Sequence, residues 1–208
     1  MTTPTIEFFI DYKSPYAYLA VGHAYQLEAD TGIVIDWLPY TLDIPAYLGS
    51  AEVDGDGNVL SEKRNAHQWR RVKYSYMDCR REANRQGLTL RGPQKIFDSS
   101  LANIGLLYAK MHDIFRAYND RVFERFWKRE LDVEDITVVA ALIAECGAPA
   151  DDFAAFANGP GRNQLINIQA AAEAAGVFGV PSIVINGTDL YWGREHFDQV
   201  RTVISAQM

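Results

Sequence analysis

The chain has 208 residues, 48% of them apolar and 12% aromatic, and a formal net charge of −7. That suffices for a sizeable core in one domain, or in one domain with a large insertion, and the acidic balance argues against a general nucleic-acid binder. The apolar runs are too short and interrupted for a helix that crosses a bilayer, and MTTPTIEFFIDYKSP lacks the basic and apolar regions of a signal peptide, so a cytoplasmic protein is expected.

TIEFFIDY predicts a first strand, with Ile6, Phe8 and Ile10 on one face and Phe9 making the centre apolar on both. A helix follows at once. Ser14 is a preferred N-cap and Pro15 suits the first turn; Tyr16, Leu19 or Ala20, His23 and Leu27 fall on one stripe, and Gly32 ends the pattern. IVIDWLPY predicts a second strand, completing a parallel βαβ unit. Residues 41–61 show no clear period and contain DGDGN, which predicts a loop. From Glu62 to about Gly87 a charged helix is expected, with Trp69, Val72, Tyr76 and Cys79 or Arg80 on its less polar side. Further helices are predicted near 99–112, 114–130, 134–147, 149–158 and 161–176. The pattern then changes: SIVI reads as a buried strand, Asn186-Gly187 as a turn, DLYW as an opposing strand, and GREHFDQVRTVISAQM as an amphipathic helix with Phe197, Val200, Val203 and Ile204 inside. The order βαβ, helical block, ββα is that of an α/β thioredoxin-like sheet interrupted by a helical insertion. The expected division is 1–40 with 176–208 for the sheet domain and 62–175 for the insertion.

Residues 63–95 hold ten of the twenty Lys and Arg but only two acids, Asp78 and Glu82. This is either a solvated helix face or a local anion site suited to a small carboxylate. Cys79 and Cys146 fit neither a disulfide framework nor a zinc site. His23, His67, His112 and His196 show no metal spacing, and His23 is expected as a packed residue. Phe123, Phe126 and Trp127 are expected in the core or a dimer contact.

Three segments carry a resemblance: DYKSPYAYLA after the first strand, GVFGVPSIV before the third, and YWGREHFDQV opening the last helix, with RRVKYSYMDCRR between them. Together they resemble the 2-hydroxychromene-2-carboxylate isomerases and kappa-class glutathione transferases, in the disulfide-oxidoreductase (DsbA-like) branch of the thioredoxin superfamily. Redox-active relatives open the first helix with Cys-x-x-Cys. Here the stretch is Lys13-Ser14-Pro15-Tyr16, and a dithiol cycle needs two nearby sulfurs. The resemblance implies instead that Ser14 holds the sulfur of bound glutathione. It further implies a cis peptide bond at Pro181, with the Val180 main chain pairing with the backbone of the glutathione cysteine. Arg194 and Glu195 stand where relatives commonly carry Ser-Asp or Asn-Asp for the γ-glutamyl end. Arg71, Tyr74 and Asp78 match a basic-Tyr-Asp spacing: Arg71 is the candidate for the glycine-end carboxylate of glutathione or for the substrate carboxylate, or else a surface ion-pair residue. Tyr16, Tyr74 and Asp78 are candidates for substrate contact.

Ser14 could be a plain cap, accepting from the N–H of Tyr16 or Ala17. A helix N-terminus also favours an anion, by up to ~2 kcal/mol in partly buried geometry. At about 1.36 kcal/mol per pKa unit, that lowers a thiol from ~8.5 towards ~7, and a hydroxyl donor moves it further. The expected activity is therefore glutathione-dependent cis–trans isomerisation of an aromatic-ring catabolite carrying a conjugated carboxylate, in a homodimer as relatives suggest. A kappa-like transferase or peroxidase, or a non-catalytic binding module, are the other readings of the same site.

Overall fold

The computed structural model describes residues 3–207. Ile6–Ile10 form β1, and every residue but the half-buried Glu7 is buried, because helices cover both faces of the sheet. Pro15–Thr31 form α1, which stops at Gly32 in the left-handed region, its N–H donating to Glu28 O at 2.9 Å. The buried stripe of α1 runs through Ala17, Ala20, Ala24 and Leu27 rather than through the expected His23. His23 is exposed and lies flat over Phe197, ring centroids 5.6 Å apart.

Asp36–Pro39 form β2, parallel to β1 with Phe8 opposite Trp37. This strand is shorter than the predicted run: Ile33 and Ile35 are buried but lie outside the ladder. The segment expected as a loop is folded. Asp43 caps α2 (Ile44–Leu48), and β3 (Ser50–Val53) pairs antiparallel with β4 (Val59–Lys63). The Asp54 carboxylate organises the tip, accepting from the N–H groups of Asp56 and Asn58, both at 2.9 Å. Every residue of β4 is exposed, so no apolar alternation marked the strand.

The helical block follows in the expected order, but the helix expected from Glu62 starts at Ala66, because Glu62 and Lys63 belong to β4, and the one expected from 149 starts at Phe153. α3 (Ala66–Gln86) opens on a capping box between Asn65 and Gln68. Then come α4 (Ser100–Met111), α5 (Phe115–Lys128), α6 (Ile136–Glu145), α7 (Phe153–Asn158) and α8 (Pro160–Ala174). β5 (Ser182–Ile185) and β6 (Asp189–Trp192) form the closing hairpin, whose turn holds Asn186 and Gly187 at positive φ. A 3-10 turn (Arg194–His196) leads into α9 (Phe197–Gln207).

The main sheet has the order β2-β1-β5-β6, with β1 and β2 parallel and β5 antiparallel to both neighbours. Phe8 and Trp37 sit edge to face on one side of it, against Phe197 of α9 and Tyr25 of α1. Alternation turns Asp36 to the other side, where Lys110 of α4 bonds Asp36 and the carbonyl of Trp37. Beyond the end of β1 lies a second apolar centre. Tyr12, Tyr118, Phe123 and Trp127 are wholly buried there, and Tyr18 stacks on Phe123 and Trp127. The aromatics of α5 are therefore core residues.

Candidate functional site

The site grows from the end of β1. The β1–β5 ladder ends with Phe9 opposite Ser182, the first residue of β5. The loop entering β5 thus lies where β1 leaves for α1. The Val180–Pro181 bond is cis. Val180 is buried, and among the described residues its N–H and C=O make no hydrogen bond. The neighbouring backbone is held: Gly193 N–H donates to Pro181 O at 2.9 Å and Ser182 Oγ donates to Gly179 O at 2.7 Å. Gly193 has φ +111 and ψ 157, a region essentially reserved for glycine. Gly193→Ala is therefore expected to lose about 1–3 kcal/mol of stability, readable as a lower urea midpoint with an unchanged slope.

Ser14 is 3% exposed and its Oγ accepts from Ala17 N–H at 3.2 Å. The capping role is real, yet it uses only the lone pairs of the hydroxyl; the proton remains available to a donor bond. The surrounding burial reduces screening at the start of α1.

Immediately before Ser14 lies a buried polar network that sequence reasoning missed. Asp11 is wholly buried, and its carboxylate accepts from Ser99 Oγ (2.5 Å), Leu42 N–H (2.8 Å), Lys13 N–H (3.3 Å) and Asn103 Nδ2 (3.4 Å). Lys13 Nζ stands 3.7 Å from Asp11 Oδ2. Asn103 also donates to Thr41 Oγ1 at 2.9 Å. These groups come from three separate parts of the chain: the β1–α1 junction, the segment after β2 and the start of α4. Two charges in the strand end FFIDYKSP were the available signal. Burial pushes the Asp11 carboxyl up; Lys13 and the hydrogen bonds pull it back without cancelling the shift. A carboxyl raised in the folded state binds its proton more tightly there than in the unfolded chain. Its contribution to stability is therefore greatest below the ordinary carboxylate range and falls as pH rises through the folded value. The stability difference between wild type and Asp11→Asn, followed by urea unfolding from pH 4 to 8, should accordingly shift against the wild type as pH rises.

Lys13 also forms part of the wall of a cleft of about 640 Å³, together with Leu42, Phe97, Leu165, Ile166 and Gln169 among others.

The other candidates divide. Tyr16 is half-buried against α3, and burial, with Cys79 next, pushes its hydroxyl up to about 12. It is thus a neutral phenol at physiological pH. Cys79 is wholly buried and its thiol is pushed up to about 12, chiefly by that burial, so it is no nucleophile. On α3 the Arg71-Tyr74-Asp78 set does not converge. Arg71 is exposed, Tyr74 is 59% exposed, and Asp78 turns to Arg194, Oδ2 to Nη2 at 3.7 Å. Arg194 Nη1 also lies 3.8 Å from Glu82 Oε1. Two residues assigned to different partners from the sequence therefore face each other. Glu195 is exposed and, with Arg194, belongs to the 3-10 turn rather than to the start of an α-helix. The basic window disperses likewise: Arg64 and Lys73 lie over Trp69, Arg80 over Tyr76, Arg85 pairs with Glu82, and Lys95 with Glu134.

A family model described as a DSBA-like thioredoxin domain matches residues 5–205. The chain belongs to this family. Among curated proteins, it is 28% identical over 197 residues to a 2-hydroxychromene-2-carboxylate isomerase of Sphingobium xenophagum, covering 94% of this chain and 95% of the relative. It is also 28% identical to the enzyme of the same name from Pseudomonas putida, covering 91% and 89%. Among solved structures, a 2-hydroxychromene-2-carboxylate isomerase superposes with a TM-score of 0.73 at 23% identity, over 98% of this chain and 95% of the other. The cytosolic disulfide reductase DsbM of Pseudomonas aeruginosa, solved with GSH, gives 0.62 at 15% identity over 98% of each chain. These two superpositions establish the DsbA-like fold.

Proposed function

We propose that this DsbA-like chain is a glutathione-dependent cis–trans isomerase acting on a conjugated carboxylate from aromatic-ring catabolism. The observation that carries the proposal is a buried serine at the start of α1, in a Lys13-Ser14-Pro15-Tyr16 stretch without cysteine, together with a buried Val180 whose main chain is unpaired among the described residues and precedes a cis proline. Relatives named 2-hydroxychromene-2-carboxylate isomerase, matched over nearly the whole chain, support the substrate class.

The residues fit glutathione in its central part. Val180, unpaired among the described residues, offers its N–H and C=O to the backbone of the cysteinyl residue, as an added strand would. Ser14 Oγ–H is the donor for the sulfur, and the N-terminus of α1 favours the charged form. Arg194 and Glu195 are the groups for the γ-glutamyl end, with Asp78 beside Arg194. When bound, glutathione supplies a sulfur anion that adds to a conjugated double bond and leaves it again, so that the bond can turn in between. Ser14 holds the charge on that sulfur before and after each cycle. The neutral Tyr16 hydroxyl can donate a hydrogen bond without adding a competing anion.

Calorimetric titration with glutathione, followed by turnover of 2-hydroxychromene-2-carboxylate, tests the proposal. Saturable binding and a constant free-thiol concentration during turnover are the expected results. Loss of one thiol per substrate would make the protein a transferase, and no detectable binding would remove glutathione from both readings.

A further inference from the structure

Lys13 is 6% exposed, yet its ammonium group donates no hydrogen bond among the described residues. Its distance to Asp11, 3.7 Å, is that of an ion pair and exceeds hydrogen-bond reach. Nor does Asp11 need it as a donor. Two carboxylate oxygens have about four lone-pair sites, and Ser99, Leu42, Asn103 and the Lys13 backbone already supply that many donors. The charge of Asp11 makes a buried lysine tolerable, while the three N–H groups of that lysine are left for something else.

The cleft indicates what that is. Its three acidic side chains have donors of their own: Asp43 accepts from Ala46 N–H, Asp98 from Ser100 N–H, and Glu173 from Gln169 Nε2. Lys13 is the one cation of the lining, and among the described residues its N–H groups have no acceptor. Around it stand Leu42, Phe97, Leu165 and Ile166, an apolar lining for a flat ring. Lys13 is also the immediate neighbour of Ser14 in the chain.

We infer that Lys13 is the anchor for the carboxylate of the substrate, which lies in this cleft with its ring against the apolar wall. The identity of the acid rests on the isomerase proposal; the ligand class, an aromatic carboxylate, rests on the cleft. Asp11, 3.7 Å from the ammonium group, is a positioning residue that aims it.

trans-Cinnamate, with cinnamamide as the uncharged control, is a probe that needs no turnover. Calorimetry on the full chain should show cinnamate binding and no binding of the amide. Lys13→Met should weaken cinnamate binding by about tenfold or more, and Lys13→Arg should restore part of it. Should Lys13→Met fail to fold by circular dichroism, Asp11→Asn/Lys13→Met removes both charges together and should show the same loss. Equal binding of cinnamate to wild type and either variant, or none to wild type, overturns the inference. With 2-hydroxychromene-2-carboxylate the same substitution should raise KM far more than it lowers kcat. Normal KM in an active Lys13→Met enzyme would sink the anchor and leave the isomerase standing; Lys13-dependent cinnamate binding without isomerisation would do the reverse.

Discussion

Ser14→Ala is expected to reduce glutathione-dependent turnover at pH 7 by about 10- to 100-fold. That range follows from a hydrogen bond to a charged group being worth about 1.5–3 kcal/mol. Without the hydroxyl donor the bound thiol returns towards its ordinary pKa, so less of it is anionic at neutral pH. The defect should therefore shrink as pH rises and the thiolate refills. A rate–pH profile at saturating glutathione measures both the loss and its recovery. Ser14 also caps α1 through Ala17 N–H, and losing that bond costs about 1 kcal/mol of stability. Ser14→Gly separates the two roles, because glycine at an N-cap costs only a few tenths of a kcal/mol yet lacks the hydroxyl. Equal turnover of wild type and both variants would remove Ser14 from the chemistry.

Asp11→Ala should produce the largest loss of stability, about 3–5 kcal/mol, as expected when a buried charge pair loses one partner. The substitution strands the Ser99 hydroxyl and Leu42 N–H without an acceptor and leaves Lys13, 6% exposed, with no counter-charge. Urea unfolding should show a midpoint well below that of wild type. Ser99→Ala, which removes one donor and leaves the carboxylate its others, should cost nearer 1 kcal/mol. If Asp11→Ala cost no more than Ser99→Ala, the network would be a set of independent contacts rather than a unit built around one charge.

Much of this architecture was legible in the sequence because its signals are local. Ser14-Pro15, Asn65 with Gln68, and Gly87 mark helix ends through their own hydrogen-bonding and φ preferences, and SIVI with Asn186-Gly187 marks a hairpin in the same way. The β3–β4 hairpin was not legible. Its strands bury no continuous face, and β4 is exposed along its whole length, so the DGDGN turn had no flanking alternation to frame it. His23 was misplaced because the periodic stripe was drawn through Tyr16 rather than through Ala17, Ala20 and Ala24. Small residues leave little hydropathy signal where helices approach closely, and α1 packs against both α3 and α9. The site was readable only where one segment contains it. Ser14 and Pro181 lie in recognisable stretches, whereas the carboxylate of Asp11 is shared among residues 13, 42, 99 and 103, and such a network exists only once the chain has folded. Arg194 and Asp78, 116 positions apart in the sequence, belong to the same limit.

The chain's two cysteines have a consequence for physiology. Cys79 is sealed in the core with its thiol pushed up to about 12, and Cys146, half-buried, is also raised by burial. Neither is a ready target for peroxide or disulfide exchange, since both reactions need an exposed thiolate. A DsbA-like protein with a Cys-x-x-Cys pair records the oxidant level of its surroundings in its own bonds. This one has no such memory. On the proposed activity its output follows the supply of reduced thiol from outside, falling when that pool is drained and recovering with it, while the polypeptide itself is unaltered.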